Sequence, residues 1–209
     1  MKLLFPARLF LTCSALLFTV AAARAEIIFD TGLVTFTPTV TEFGRLSRSG
    51  SASDWATAKP FPGVFGAPGL RAYEAFTVSS SLYPFLQITL DDPFGAFVDS
   101  AYLNFFAPVN VAPNYGLNVN YLGDPGLSEP FGNPSFFQVV AATGSNVVIP
   151  ITELALGGGT GRPFELIVEG FFDTEYNDAS TVPEPSYVIL LGCACAAIGV
   201  LRSKRRVVH

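Results

Sequence analysis

The sequence predicts an all-β fold: a single β-sandwich or jelly-roll-like domain, with an N-terminal signal peptide before it and a C-terminal transmembrane helix after it. Three observations predict the fold. Short runs in the middle of the chain alternate apolar and polar residues with a period of two, as a strand with one buried face does. Pro, Gly, Asn and Asp separate those runs at close intervals. No stretch between residues 26 and 182 sets apolar residues at helical spacing between capping residues. The 209 residues, less 25 at the start and 27 at the end of different character, leave 157. That suits one domain and is too short for two.

The N-terminus opens with Lys2 and Arg8, continues as an uncharged apolar run over residues 9–23, and exits through Ala23-Arg24-Ala25. A basic start, a short apolar centre and a small-x-small exit are the parts of a secretory signal. The run is 15 residues long, below the ~20 that a spanning helix needs. Cleavage by signal peptidase after Ala25 is therefore expected, with Ala23 and Ala25 in the small-residue positions.

Residues 26–173 are assigned to the domain. Period-two runs are read at 33–40, 72–78, 85–90, 97–106, 117–121, 136–141, 146–151 and 164–169. In the fifth, Leu117, Val119 and Tyr121 face one way and Asn118 and Asn120 the other. In the last, Phe164, Leu166 and Val168 alternate with Glu165, Ile167 and Glu169. About eight such strands suit a two-sheet domain. The turns between them are Asp91-Asp92-Pro93-Phe94-Gly95, Gly123-Asp124-Pro125-Gly126 and Thr143-Gly144-Ser145-Asn146. Seventeen phenylalanines supply a bulky core, so a domain of this size can dispense with disulfides.

Residues 174–182 read as a linker and 183–209 as a separate terminal segment. Pro183-Glu184-Pro185 follows Val182; residues 186–201 carry no charge; Arg202, Lys204, Arg205 and Arg206 come next. Sixteen helical residues cover about 24 Å, short of a ~30 Å hydrocarbon layer but able to span a thinned one. The four basic residues act as a stop-transfer signal and favour a cytoplasmic C-terminus, leaving the domain outside. Gly192, Ala194, Ala196, Ala197 and Gly199 keep the helix slim.

Composition excludes several chemistries. The only histidine is His209, and Cys13, Cys193 and Cys195 all lie in the end segments. The middle thus has no imidazole base, thiol nucleophile, disulfide or zinc–cysteine site. Between Glu26 and Val182 stand 5 basic and 16 acidic residues, a net charge of −11. Such a domain repels nucleic acid and anionic headgroups. Gly157-Gly158-Gly159-Thr160-Gly161-Arg162 is not a phosphate loop, because Pro163 and an alternating run follow it where Lys, Ser or Thr and a helix belong. Lys59 precedes Pro60 without Ser-x-x-Lys spacing, and Gly-x-Ser-x-Gly is absent.

Three binding or catalytic options survive. Calcium would take its oxygens from Asp91, Asp92 and Asp99 around one turn, or from Asp173, Glu175 and Asp178 after the last strand. No EF-hand spacing is present, and without calcium no cofactor is expected. Trp55, among small polar residues, is the candidate sugar contact, with Tyr83, Tyr115 and Tyr121 as further rings for a platform. Paired carboxylates could hydrolyse glycosides, but sequence picks out no pair among the 16 acids.

The terminal segment carries a resemblance. Val182-Pro183-Glu184-Pro185, a slim apolar helix and an Arg-rich end, in this order, resemble the PEP-CTERM sorting signal of Gram-negative surface proteins. The resemblance implies recognition by exosortase, an integral-membrane transpeptidase-like enzyme, with cutting near the Pro-Glu-Pro and a setting of exopolysaccharide and biofilm production. Within the domain, Arg45-Leu46-Ser47-Arg48, Lys59-Pro60-Phe61-Pro62-Gly63, Arg71-Ala72-Tyr73-Glu74-Ala75-Phe76 and the run 163–170 are similar to the pre-peptidase C-terminal β-sandwich. That likeness implies a fold and no catalytic residue.

The expected protein is exported and not an enzyme. Its precursor inserts in the inner membrane, N-terminus out and C-terminus in, and then reaches the cell surface or extracellular matrix. Its expected role is structural or adhesive in an exopolysaccharide setting. Its expected partners are signal peptidase, an exosortase-type membrane enzyme and extracellular polysaccharide, with no nucleic acid. The alternative is a carbohydrate-binding module, and the remote alternative a carboxylate-pair glycoside hydrolase.

Overall fold

The computed structural model describes residues 25–127 and 134–172, apart from the side chains of Ala67 and Pro68. Ala23, the linker, the sorting segment from Val182 to Arg206, and Asp173, Glu175 and Asp178 lie outside the described residues. Within them the protein is all-β, with eleven strands and no helix. The strands are β1 Glu26–Asp30, β2 Val34–Thr35, β3 Val40–Leu46, β4 Val64–Ser79, β5 Phe85–Asp91 and β6 Phe97–Asp99. They continue with β7 Ala101–Leu103, β8 Tyr121–Gly123, β9 Ser135–Val140, β10 Asn146–Glu153 and β11 Pro163–Phe171.

Two sheets form, and every pairing in them is antiparallel. One has the order β1-β11-β5-β9 with β2 on β11; the other runs β3-β4-β10-β7-β8 with β6 on β10. The pairs β1–β11, β4–β10, β5–β9 and β7–β8 are the rungs of one long hairpin. Folding that hairpin over on itself brings β11 beside β5 and β10 beside β7.

Alternation decides what each strand buries. In β5, Leu86, Ile88 and Leu90 are at most 1% exposed while their neighbours are half-buried. In β11, Phe164, Leu166 and Val168 are fully buried, as are Val147, Ile149 and Ile151 in β10. Both sheets contribute these side chains to one cluster, with Phe97, Phe137 and Val139. At one end Phe36, Phe97 and Phe164 pack ring against ring, with centroids 4.7, 5.4 and 6.3 Å apart. Tilted and edge-on contacts suit the ring quadrupoles.

The outer face of the β4–β10 sheet is roofed. Segment 104–120 lays Phe106 on Tyr73 and Tyr102, at 5.2 and 4.6 Å, and stacks Tyr115 on Phe43 at 5.7 Å. Near that roof Glu42 is 3% exposed; its Oε1 accepts the Thr152 hydroxyl at 2.8 Å, and its Oε2 has no hydrogen-bond partner among the described residues. Burial pushes this carboxyl up from 4.5 to about 8, against the smaller opposing effects of the Thr152 bond and the Arg71 charge.

The structure departs from the sequence reading in several places. The run 117–121 is turn up to Asn120, and only Tyr121 lies in a strand, as the first residue of β8. Tyr115, Gly116 and Asn120 all have positive φ, and Leu117 N–H and Val119 N–H donate to Asn114 and Gly116 carbonyls. The ladder resumes only at β8. The run 97–106 splits at Ser100 into β6 and β7, opposite Pro150 of β10, which has no N–H to give a partner strand. Of 33–40 only Val34–Thr35 and Val40 lie in strands: Phe36 still exchanges backbone hydrogen bonds with Arg162 and Gly161, at 2.9 and 3.0 Å, and residues 37–39 then carry the chain from β11 to β4. Strand β1 lies outside every predicted run, β3 shares only Val40 with one, and β4 begins eight residues before its expected start.

Candidate open-face site

Among the described residues, the outer face of the β1-β11-β5-β9 sheet has no roof like that of segment 104–120. Register fixes which side chains share it, since directly paired residues project to the same side. Three rows cross the strands. Glu169, Gln87 and Gln138 form one; Ile167, Thr89 and Phe136 the next; Phe171, Phe85 and Val140 the third. In the first row, Gln87 Nε2 donates to Glu169 Oε2 at 2.9 Å and Gln138 Nε2 to Gln87 Oε1 at 3.0 Å. These bonds fix both amides in a polar ladder with an apolar-rich row on each side. Phe136 is 55% exposed and Val140 48% exposed. Beyond the second row Glu165 stands opposite Asp91.

Trp55 ends the face on the side of the third row. It was expected as an exposed sugar platform, and the structure corrects this: its side chain is 8% exposed. The indole packs edge-on against Phe85 and Phe171 at 5.7 and 4.9 Å, and its Nε1 donates to the Leu86 carbonyl at 3.2 Å. Phe85 of β5 and Phe171 of β11 stand in register on the outer face, so an indole arriving from segment 47–63 finds apolar cover. The exposed ring of this face is Phe136 instead. The other proposed rings do not converge with it. Tyr83 gives its hydroxyl to Glu26, Tyr115 lies on Phe43, and Tyr121 gives its hydroxyl to Asp124.

A polar clasp joins the edges of the two sheets beside this face. Ser53 N–H donates to Asp124 O and Gln138 N–H to Ser53 O, both at 2.9 Å, so one residue bridges β9 and the end of β8. Lys59 Nζ reaches Asp124 Oδ1 at 2.6 Å and Ser51 O at 2.5 Å. The Lys59 and Asp124 side chains are 9% and 3% exposed. Gly126, at φ +76°, lies so close to Ser51 that a Cβ would sit 2.1 Å from its carbonyl oxygen.

The acidic turn does not gather its three aspartates. Alternation sends Asp91 outward to Glu165 and Asp92 inward. The Asp92 oxygens accept Phe94 N–H at 3.1 Å and Phe97 N–H at 2.8 Å. Burial pushes that carboxyl up, and these amide bonds pull it back. Asp99 is 1% exposed in β6. Among the described residues no three His, Cys, Asp or Glu side chains stand together as a metal site requires. The Gly157–Gly161 stretch is a turn between β10 and β11, in which Gly159 N–H donates to Glu153 Oε2 at 3.4 Å.

A hollow of about 320 Å³ is lined by Phe94, Gly95, Ala96, Leu154, Ala155, Gly158 and Arg162. Arg162 lies over the Phe94 ring at 4.7 Å, and among the described residues no carboxylate lines the hollow.

The ladder residues Gln87, Gln138, Glu169 and Phe136 were not singled out from sequence. Their signal was there, as outward positions of three alternating runs, but only the register aligns them. Comparison with family models, with curated proteins and with solved structures yields no match.

Proposed function

We propose that this chain is an exported surface or matrix protein without catalysis of its own, sorted by its PEP-CTERM-like tail, that adheres to uncharged extracellular polysaccharide through the open sheet face. The two sheets are read as one β-sandwich, because the rolled hairpin of β1–β11, β4–β10, β5–β9 and β7–β8 is the jelly-roll arrangement. That architecture also serves lectin domains, and the site rather than the fold carries the functional reading. The supporting observation is the Glu169–Gln87–Gln138 ladder. The half-buried Gln87 amide and Glu169 carboxylate offer a donor and acceptors to sugar hydroxyls, with Gln138, 5% exposed, bracing Gln87 from beneath, while Phe136, Ile167 and Val140 offer apolar surface to the ring faces. Among the described residues the face carries Glu165, Glu169 and Asp91 but no cation, which disfavours a polyanionic polymer.

Retention on an insoluble neutral glucan and on an alginate gel tests the reading. Wild type is expected on the glucan alone. Gln87→Leu with Phe136→Ser, both on the outer face, is expected to abolish retention without lowering thermal stability by more than a few degrees. Equal retention of wild type and variant would remove the face from the function. The opposed Asp91 and Glu165 keep a carboxylate-pair hydrolase as the second reading, and release of soluble sugar during the same incubation would favour it.

The sorting part has its own test. Glu184→Ala is expected to leave an uncut, membrane-retained precursor in a host that has an exosortase. Wild type found uncut both there and in a host lacking the enzyme would leave a plain anchor.

A further inference from the structure

The β1–β11 pairing places the first and last strands of the domain side by side, with Glu26 opposite Gly170. The chain therefore enters and leaves at one corner. At that corner stand three large apolar side chains open to solvent: Ile27 at 58%, Leu82 at 64% and Phe172 at 57%. Phe172 packs on Tyr83 with ring centroids 4.6 Å apart, and Tyr83 gives its hydroxyl to Glu26. Beside them a hollow of about 550 Å³ opens between β1 and the end of β4, with Ile27, Ile28, Phe29, Leu82 and Tyr83 in its lining and, among the described residues, no Lys or Arg.

We infer that this corner is a lipid-facing end, which rests on the surface of a bilayer of neutral headgroups while the chain is membrane-anchored. The inference rests on the reading of residues 186–201 as a membrane span, and goes beyond it by assigning a contact to the folded domain. Chain length outside the domain supports it. Thirteen residues, 173–185, separate Phe172 from that span, a reach of at most about 45 Å. Before signal cleavage the tether is shorter still, because Glu26 directly follows the signal segment. A tether this short holds the corner at an effective concentration in the millimolar range. Contacts too weak to recruit a free domain are then sufficient. The chemistry is that of an interface: aliphatic and Phe172 tips beside Tyr83, tyrosine being a ring type enriched where hydrocarbon meets water. The absence of cations from the hollow, beside the Glu26 carboxylate, makes neutral rather than anionic headgroups the fitting surface.

The test uses the full-length chain reconstituted into phosphatidylcholine vesicles, with and without brominated acyl chains. Leu82→Trp reports the corner. Leu156→Trp reports the opposite end, since Leu156 is 62% exposed just past the far end of β10, about 25 Å from the near end. Wild type, whose single Trp55 is buried, gives the baseline. Bromine is expected to quench Leu82→Trp at least threefold more than Leu156→Trp, and Ile27→Trp should repeat the Leu82→Trp result. Flotation with the vesicles reads the anchor separately. Chain that floats with both reporters quenched alike overturns the lipid-facing end and leaves the anchor standing. Chain that does not float overturns both.

Discussion

Glu42 makes the stability of this domain depend on pH in a direction opposite to that of most carboxylates. In the folded protein its carboxyl is pushed up to about 8 from an ordinary 4.5, mainly by burial near the 104–120 roof. Between those two values the folded state holds the proton and the unfolded state releases it. Stability from this group is therefore greatest below about pH 4.5, falls as the pH rises, and levels off above about 8. Each pH unit in that window costs about 1.4 kcal/mol, which amounts to about 5 kcal/mol across it. Glu42→Gln removes the titration and keeps an oxygen for the Thr152 hydroxyl, which donates at 2.8 Å. Thermal melts of wild type and variant, taken from pH 5 to pH 9 on residues 26–172, are the assay. The variant is expected to match wild type or fall slightly below it at pH 5, and to exceed it by about 10 °C at pH 8.5, at roughly 2–4 °C per kcal/mol for a domain of this size. Melting curves that keep a constant offset over the whole range would refute the reasoning. They would mean that Glu42 is ionised in the folded protein at neutral pH, paired with Arg71 or reached by water.

Three further outcomes follow from the clasp and from Trp55. Lys59→Met leaves Asp124 buried and is expected to cost about 3 kcal/mol, read as a lower urea midpoint, with Asp124→Leu in the same chain recovering part of the loss. Gly126→Ala places a methyl group against Ser51 and forces a positive φ on alanine, for an expected loss of about 2–4 kcal/mol by the same assay. Trp55 is the only tryptophan, so native fluorescence reports it alone. The emission is expected to be blue-shifted and poorly quenched by acrylamide, whereas full quenching would mean that segment 47–63 does not cover the sheet.

The fold class was legible because each strand declares its own faces. Period-two alternation at 85–90, 146–151 and 164–169 needs no knowledge of any partner, and β5, β10 and β11 fall where it points. Elsewhere the pattern is decided by something outside the run. Leu117, Val119 and Tyr121 alternate on paper, yet left-handed backbone at Gly116 and Asn120 turns the chain before a ladder can form. Strand β3 hides because Glu42 and Arg45, read locally, belong on a solvent face, whereas they are 3% and 7% exposed. Trp55 fails in the mirror sense: polar neighbours suggest exposure, and a sheet 30 residues away supplies the apolar cover.

The candidate site was illegible for a stricter reason. Gln87, Gln138 and Glu169 come from three strands, and their sequence positions say only that each points outward. Sliding β9 by one residue along β5 would set Phe137 or Val139 opposite Gln87 and turn Gln138 inward. The register is held partly at a distance, by Ser53, whose carbonyl takes the Gln138 N–H and whose own N–H goes to Asp124. Lys59 and Tyr121 bind that same aspartate. The clasp and the ladder thus meet in one residue: Gln138 gives its backbone N–H to the clasp and its side-chain amide to the face. A clasp mutation such as Lys59→Met should therefore disturb the ladder proposed to bind sugar along with stability, whereas Gln87→Leu should disturb the ladder alone. Polysaccharide retention that survives Lys59→Met undiminished would separate the two.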